Sequence, residues 1–151
     1  MEFVLQKQSL DDLQRLAEKL ASFLSSGDIL LMEGDLGSGK TALTKMLVAE
    51  LGDPTIKVSS PTFNIVQTYE SPDLKFPVHH FDAYRLEGIG GMDQGFEDYL
   101  FGEGISIIEW AQFMDDIIPE NALTISFQRN LDDPDNYRDI TISSVGENGL
   151  H

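Results

Sequence analysis

The sequence predicts an α/β fold in which helices flank a mixed β-sheet, giving three layers. Residues 29–33 form a short apolar run of the kind that makes a buried parallel strand. A glycine-rich loop follows at 34–41, and apolar side chains then recur at helical spacing as far as Leu51. Residues 123–127 and 138–142 alternate between apolar and polar side chains, which is typical of half-buried antiparallel strands. The sheet is therefore expected to be parallel near the glycine loop and antiparallel at its C-terminal hairpin.

The composition is that of one soluble globular unit. A chain of 151 residues has the size of a single domain, so residues 1–151 are expected to fold together. No apolar stretch reaches the roughly 20 residues that span a bilayer, and the first residues lack the apolar core of a signal peptide. Cysteine is absent, which excludes disulfides and thiol catalysis. We expect a cytoplasmic protein without membrane contact.

The net charge of −16 bears on possible partners. Tight binding to a nucleic-acid backbone requires clustered lysine and arginine, and only ten such residues are spread along this chain. Direct binding of nucleic acid is therefore not expected. A basic protein partner is easier to accommodate, although the acidity is explained equally well as a means of keeping the protein soluble.

The first predicted helix covers residues 9–24 and is expected to lie on one face of the sheet. Ser9 and Asp12 have the spacing of a capping box, and Gly27 is a plausible terminator. The start of this helix, at Leu10, could also close over a nucleotide base, although packing is the simpler role. The apolar stripe consists of Leu10, Leu13, Leu16, Ala17, Leu20, Phe23 and Leu24.

The middle of the chain is divided into short elements by glycine and proline. Residues 71–73 read SerProAsp, a hairpin signal between two strands, and Pro119 ends a helical segment. The predicted strands of this region are 55–58, 63–69, 76–84 and 105–108, the predicted helices are 96–101 and 111–118, and 87–95 is predicted to be a mobile loop.

The glycine loop matches the pattern G-x-x-x-x-G-K-[ST] in full and reads GDLGSGKT. Its glycines allow a tight turn in which successive N–H groups point inward and bind phosphates. Lys40 reaches the β- and γ-phosphates, and the hydroxyl of Thr41 is placed to bind Mg²⁺. A glycine-rich turn with Lys and Thr by chance is the alternative, but the flanking strand and helix favour a P-loop. The predicted nucleotide-binding residues here are Gly34, Asp35, Leu36, Gly37, Ser38, Gly39, Lys40, Thr41 and Ala42.

A P-loop enzyme also needs an acidic residue at the end of a neighbouring strand. Glu109 ends the apolar run 105–108, and Asp82 lies in the segment HFDAYR at 80–85. Either carboxylate alone could be a simple turn or capping residue. Alternation places His80, Asp82 and Tyr84 on one face of a strand, which favours a shared site, whereas a transition-metal site is not expected because no cysteine accompanies the histidines.

Four motifs occur in order along the chain: GDLGSGKT at 34–41, SPTF at 60–63, HFDAYRL at 80–86 and IIEW at 107–110. Together they resemble the TsaE (YjeE) family, bacterial ATPases required for the synthesis of tRNA threonylcarbamoyladenosine. The resemblance covers roughly residues 9–142. It implies a P-loop ATPase that uses ATP and Mg²⁺, binds the TsaB–TsaD heterodimer and supports threonylcarbamoyl transfer to adenosine 37 of tRNA. The tRNA would then be contacted only through the complex.

The resemblance also implies roles for individual residues. Thr41 and Glu109 would be the Mg²⁺ ligands, and Lys40 would hold the phosphates. Thr62 resembles a switch threonine that senses the γ-phosphate and the metal. Asp82 would be the catalytic-site carboxylate that orients or activates water, directly or through the metal.

Two further residues belong to the predicted nucleotide site. Trp110 would line it, with a core aromatic as the alternative, and Arg138 matches a basic position near the nucleotide, with a solvated edge-strand arginine as the alternative.

The chain departs from the usual family pattern in two places. Ala42 replaces a second threonine, which Thr41 makes harmless, and residues 111–112 read Ala-Gln in place of Pro-Glu, which leaves the local loop geometry open.

Two other functions fit a P-loop. A small-molecule kinase usually offers several arginines to the transferred phosphoryl group, and this chain has only Arg15, Arg85, Arg129 and Arg138. A nucleotide-dependent binding switch is the second alternative, but the Asn-Lys-x-Asp motif of guanine specificity is absent. Since no arginine finger is obvious, we expect ATP hydrolysis to be slow in isolation and stimulated by the partner. Whether copies of the chain associate weakly stays open.

Overall fold

A computed structural model of the chain describes residues 2–35, 39–61 and 64–144. Within these residues one seven-stranded sheet runs through the molecule. The strands are β1 (Glu2–Gln8), β2 (Ile29–Glu33), β3 (Val66–Tyr69), β4 (Val78–Asp82), β5 (Ile105–Glu109), β6 (Leu123–Arg129) and β7 (Arg138–Ser144). The helices are α1 (Leu10–Phe23), α2 (Lys40–Glu50) and the short α3 (Glu97–Leu100), together with 3₁₀ turns at Tyr84–Leu86 and Ala111–Met114.

The sheet is mixed, as predicted, with the strand order β1-β7-β6-β2-β5-β4-β3. Its centre is parallel, since β2 pairs in parallel with β5 and β6, and β4 pairs in parallel with β5. Both edges are antiparallel, through the hairpin β6–β7 and through the hairpin β3–β4. Both predicted hairpins are therefore confirmed, and the parallel centre brings the carboxyl ends of β2, β4 and β5 to one edge of the sheet.

Two layers of apolar side chains cover the faces of the sheet, so that the three-layer prediction is confirmed. On one face α1 and α2 pack together, and Leu20, Leu43 and Leu47 are at most 1% exposed. On the other face α3 and the two 3₁₀ turns pack against the sheet through Leu100 and Met114, which are also buried. Burial of each such side chain contributes about 1.5–3 kcal/mol.

The capping box at the start of α1 is present. The Asp12 N–H donates to Ser9 Oγ at 3.2 Å, and the Ser9 N–H donates to Asp12 Oδ2 at 2.9 Å. These bonds satisfy orphan donors of the first turn and explain why the helix begins at Leu10. The Ser9 N–H and the Ser9 hydroxyl, which both donate to Asp12 Oδ2, lower the pKa of the Asp12 carboxyl.

Strand β1 was not predicted from the sequence. Phe3 and Val4 are both more than half exposed, so this strand lacks the alternation that reveals a half-buried strand. It is held instead by antiparallel pairing with β7, which alternation within residues 2–8 cannot show.

Two predicted elements are wrong. Residues 55–58 form no strand, because the Thr55 N–H donates to Asp53 Oδ1 at 3.0 Å and turns the chain. Residues 111–118 form only the 3₁₀ turn Ala111–Met114 in place of a longer helix. The side chain of Asp116 accepts bonds from the Gly91 N–H at 2.9 Å and the Met92 N–H at 3.0 Å, which ties this segment to the glycine-rich loop 87–95. The mobility of that loop stays a prediction.

Among the helices of residues 2–35, 39–61 and 64–144, none combines the length and the apolar composition that a membrane span requires.

Candidate functional site

The site lies where the carboxyl ends of the central parallel strands meet. In the register Glu109 stands beside Asp82 on β4 and beside Met32 on β2. The glycine loop leads from the end of β2 to Lys40, the first residue of α2, at the same edge. This is the edge where α/β sheets bind their ligands. A cleft of about 310 Å³ opens there, lined by Gly39, Lys40, Thr41, Ala42, Ser60, Asp82, Glu109 and Trp110.

The described part of the glycine loop has the backbone that the motif requires. Gly39 has a φ of 120°, a conformation that L side chains rarely adopt, and a Cβ there would lie 3.3 Å from the ring of Phe127. Gly34 lies at the other end of the loop, and with Lys40 and Trp110 it lines a neighbouring cavity of about 330 Å³. Asp35 is exposed. The predicted nucleotide ligands Leu36, Gly37 and Ser38, and the predicted switch residue Thr62, lie outside the described residues.

Lys40 and Glu109 form the centre of the cleft. Their side chains are only 10% and 6% exposed, and Lys40 Nζ lies 3.6 Å from Glu109 Oε1. Two charges withdrawn from water in this way are tolerated because each has an opposite charge beside it. Lys40 Nζ also lies 5.6 Å from the centre of the Trp110 ring, within the range of a cation–π interaction.

The second oxygen of Glu109 is held from inside the sheet. His80, which is fully buried, lies with Nε2 2.7 Å from Glu109 Oε2. Burial raises the pKa of Glu109, but the hydrogen bond and the electrostatic interaction with His80, with the positive charge of Lys40, outweigh burial and lower the pKa below its ordinary value. The Glu109 carboxyl is therefore ionised at neutral pH.

Behind His80 lies Tyr69. Its hydroxyl is 3.1 Å from His80 Nδ1 and 2.9 Å from the carbonyl oxygen of Ser59. Burial raises the pKa of this phenol, and the negative charge of Glu109 adds to the effect. Tyr69 therefore keeps its proton at neutral pH.

Asp82 ends β4 and is half-buried at the cleft. Its Oδ1 accepts from the Tyr84 N–H at 3.0 Å, and its Oδ2 accepts from Ser60 Oγ at 3.3 Å. These two bonds fix the orientation of the carboxylate. Asp82 also lines an adjoining cavity of about 340 Å³ with Pro61, Asn64, Ile65, Tyr84, Arg85 and Trp110.

Trp110 lies on the wall of the cleft and not in the core. It is 38% exposed, and its φ of 59° is unusual for a residue with a bulky side chain. Its ring contacts Tyr84 edge-on, with centroids 5.0 Å apart, and stacks on Phe113 at 6.0 Å. Such a backbone conformation persists only where the surroundings enforce it, and the residue that adopts it here lines the cleft.

Two predicted site residues do not line the cleft. Arg138 begins β7, where it pairs with Arg129 on β6 and with Gln8 on β1. It therefore lies at the same edge of the sheet as the cleft, but two strands away from β2. Its guanidinium donates to the carbonyl oxygen of Pro134 at 2.7 Å. Leu10, at the start of α1, is 68% exposed.

Sequence reasoning missed Tyr69 and left His80 without a role. The alternation that groups His80 with Asp82 was a signal for the histidine. Tyr69 had none, because its contact with His80 depends on the hairpin that lays β3 against β4.

The donors suit Mg²⁺ better than a transition metal. Among the residues that the structure describes, no cluster of three or more His, Cys, Asp or Glu could hold a metal alone. Mg²⁺ does not require one, since it usually takes one or two carboxylates and completes its shell with water and substrate phosphates. The carboxylate of Glu109 and the hydroxyl of Thr41 meet that need. His79 is engaged elsewhere, with Thr68 Oγ1 at 2.9 Å and the Glu103 carbonyl oxygen at 2.8 Å.

Comparison with known proteins gives consistent matches over most of the chain. The family model described as threonylcarbamoyl adenosine biosynthesis protein TsaE matches residues 7–140. The tRNA threonylcarbamoyladenosine biosynthesis protein TsaE of Bacillus subtilis (strain 168) is 38% identical over 136 residues, covering 90% of this chain and 82% of that protein. The protein of the same name from Streptomyces coelicolor is 33% identical over 139 residues, covering 89% and 92%. The crystal structure of Bacillus subtilis YdiB superposes with a TM-score of 0.75 at 31% identity, covering 97% of this chain and 87% of that one.

Proposed function

Since the chain belongs to the TsaE family, whose members act in the biosynthesis of tRNA threonylcarbamoyladenosine, we propose that it is a Mg²⁺-dependent P-loop ATPase. The observation that carries the proposal is the meeting of Lys40, Thr41, Asp82 and Glu109 around one cleft at the start of α2. These are the lysine, hydroxyl and carboxylates that phosphoryl-transfer sites require. The protein is proposed to act as one domain, residues 1–151, in the cytoplasm.

Each residue has a part in binding the nucleotide. The N–H groups at the start of α2 and the ammonium of Lys40 hold the phosphates, and the half-charge of the helix N-terminus adds to their attraction. Thr41 and Glu109 are the residues that would hold Mg²⁺. When bound, this ion neutralises charge on the β- and γ-phosphates. Trp110 borders the nucleotide.

Asp82 is proposed to orient the attacking water. Its carboxylate is half-buried at the cleft and is fixed by the bonds from Tyr84 and Ser60, so that it could accept a bond from water without reorganisation. Among the described residues, those that line the cleft include no arginine. A residue that stabilises the transferring phosphoryl group is worth 10³ to 10⁵ in rate, so turnover is slow in isolation.

The partner proposed to raise that rate is the TsaB–TsaD heterodimer, which carries out threonylcarbamoyl transfer to adenosine 37. The net charge of −16 disfavours direct contact with tRNA. This protein is therefore proposed to meet tRNA only through the complex.

Titration calorimetry with ATP and Mg²⁺ tests the nucleotide site. Wild type should bind, and Lys40→Ala should weaken binding by more than about tenfold, because a hydrogen bond to a charged group is worth about 1.5–3 kcal/mol. Lys45→Ala is the matched control, since Lys45 lies exposed on the same helix. Equal affinities of wild type and Lys40→Ala would refute the assignment.

A further inference from the structure

A chain of hydrogen bonds runs from the cleft through the sheet to the segment 59–61. It begins at Glu109 Oε2, passes through the ring of His80 and reaches the hydroxyl of Tyr69. It ends at Ser59, whose carbonyl oxygen lies 2.9 Å and whose nitrogen lies 3.3 Å from that hydroxyl. Glu109, His80 and Tyr69 are 5%, 0% and 4% exposed, so water does not compete for these bonds.

The direction of the first bond is fixed by chemistry. An ionised carboxylate only accepts, so His80 Nε2 donates to Glu109. Two arrangements keep the three side chains connected: either the Tyr69 hydroxyl donates to His80 Nδ1, or Nδ1 also carries a proton and donates to the Tyr69 oxygen, whose own proton then goes to the Ser59 carbonyl oxygen. A buried donor or acceptor that loses its partner destabilises the fold, so the network favours one geometry.

That geometry assigns a different task to each oxygen of Glu109. Oε2 is occupied by His80 at 2.7 Å, while Oε1 faces Lys40 and the cleft at 3.6 Å. Without the imidazole, the carboxylate would be free to rotate about its last bond. The orientation of Oε1, the oxygen that faces the cleft, is therefore fixed by the bond that His80 makes to Oε2.

The other end of the network lies against the second carboxylate of the site. Residue 59 is followed by Ser60, whose hydroxyl donates to Asp82 Oδ2 at 3.3 Å and which lines the cleft. The same segment directly precedes Thr62 in the sequence. Tyr69 thus joins the backbone beside Asp82 to the residue that holds Glu109.

We propose that His80 and Tyr69 are positioning residues that hold Glu109 in the orientation required for Mg²⁺ and connect it to the segment 59–61. This inference rests on the proposed function, because it gives Glu109 a metal. Residues that orient a metal ligand from outside its coordination shell typically contribute 10- to 100-fold in metal affinity.

A purely architectural role is the alternative, in which the two side chains only join β3, β4 and β5. His79 provides the matched control. It is the next residue on β4, is 8% exposed and also bridges neighbouring segments through both ring nitrogens, but its partners Thr68 and Glu103 lie outside the cleft lining. An architectural role would make His79 and His80 equivalent in the experiment below.

The experiment measures ADP affinity by titration calorimetry at a series of Mg²⁺ concentrations and in EDTA. The variants are His80→Leu, His80→Gln, Tyr69→Phe and the control His79→Gln, each checked by circular dichroism. For His80→Leu we expect the Mg²⁺ concentration at half-effect to rise about 10- to 100-fold, with the affinity in EDTA unchanged. Tyr69→Phe should move it less in the same direction. His80→Gln, whose amide can still donate to Glu109, should have a half-effect Mg²⁺ concentration much closer to that of wild type. The control His79→Gln should match wild type.

Two results are distinguishable. In the first, the ADP affinity of wild type depends on Mg²⁺, but Tyr69→Phe and both His80 variants have the same half-effect Mg²⁺ concentration as wild type. The positioning inference is then refuted and the proposed function stands. If wild type itself shows no Mg²⁺ dependence, the proposed function fails. Should His80→Leu not fold, Tyr69→Phe carries the test, since it removes one oxygen atom.

Discussion

Lys40 Nζ and Glu109 Oε1 face each other across the cleft at 3.6 Å, and both side chains are at most 10% exposed. Neither charge is expected to lie there alone, because an unpaired buried charge is strongly destabilising. The pair joins the start of α2 to the end of β5, so it connects the glycine loop to the strand that carries the proposed metal ligand. Its consequences can be measured in stability as well as in activity.

Replacing Lys40 by methionine should make the free energy of unfolding less dependent on pH in the acidic range. The pKa of Glu109 is lowered in the folded protein, so its contribution is present above the unfolded value of 4.5 and is lost as the pH falls through the folded value. Lys40→Met removes one of the lowering causes and raises that pKa. The variant should be less stable than wild type at pH 7, and the difference should narrow below pH 4.5. Urea denaturation between pH 3 and 7 measures this, with Lys45→Met as control, and a pH-independent difference would contradict it.

Gly39→Ala should impair both stability and nucleotide binding. The φ of 120° costs a side chain roughly 1–3 kcal/mol, and the added Cβ lies 3.3 Å from the Phe127 ring. Gly27→Ala is the control, because Gly27 has a φ of 100° but nothing within 4 Å of an added Cβ. Both variants should unfold at lower urea concentration than wild type, but only Gly39→Ala should weaken ATP binding. Equal ATP affinities of the two variants would count against the loop geometry.

Ser9→Ala should lower the free energy of unfolding by about 1 kcal/mol, because it removes the acceptor of the Asp12 N–H at 3.2 Å. Ser25→Ala, at an exposed serine beyond the end of the same helix, should change it much less. Chemical denaturation of the three proteins compares them directly. Identical midpoints for both variants would show that the cap contributes nothing.

The fluorescence of Trp110 should report nucleotide binding. It is the one tryptophan of the chain and is 38% exposed at the cleft. A bound nucleotide should shield the indole, so acrylamide should quench its emission less in the presence of ATP and Mg²⁺. With Lys40→Ala the quenching should be the same with and without nucleotide. Quenching of wild type that ATP leaves unchanged would remove Trp110 from the proposed site.

The sequence predicted those parts of the site that depend on neighbours along the chain. The glycine loop is identified by its spacing, Glu109 by the apolar run that precedes it, and Asp82 by its place in the segment HFDAYR at 80–85. The parts that depend on the register between paired segments, or on pairing with a distant strand, were not predictable. The β3–β4 hairpin was predicted, but the register that brings Tyr69 to His80 was not, and β1 exists only through its pairing with β7. Residues 111–118 resembled a helix until the left-handed backbone of Trp110 and the bonds to Asp116 were known.

The central claim is a partner-dependent ATPase built on Lys40 and Glu109. The most direct test measures ATP turnover with Mg²⁺, alone and with a purified TsaB–TsaD pair, for wild type, Lys40→Ala and Glu109→Ala. The account predicts slow turnover alone, stimulation by the pair, and loss of that stimulation in both variants. ATP turnover that is unchanged by the TsaB–TsaD pair but rises with a small hydroxylated acceptor would contradict the partner-dependent ATPase and favour a kinase.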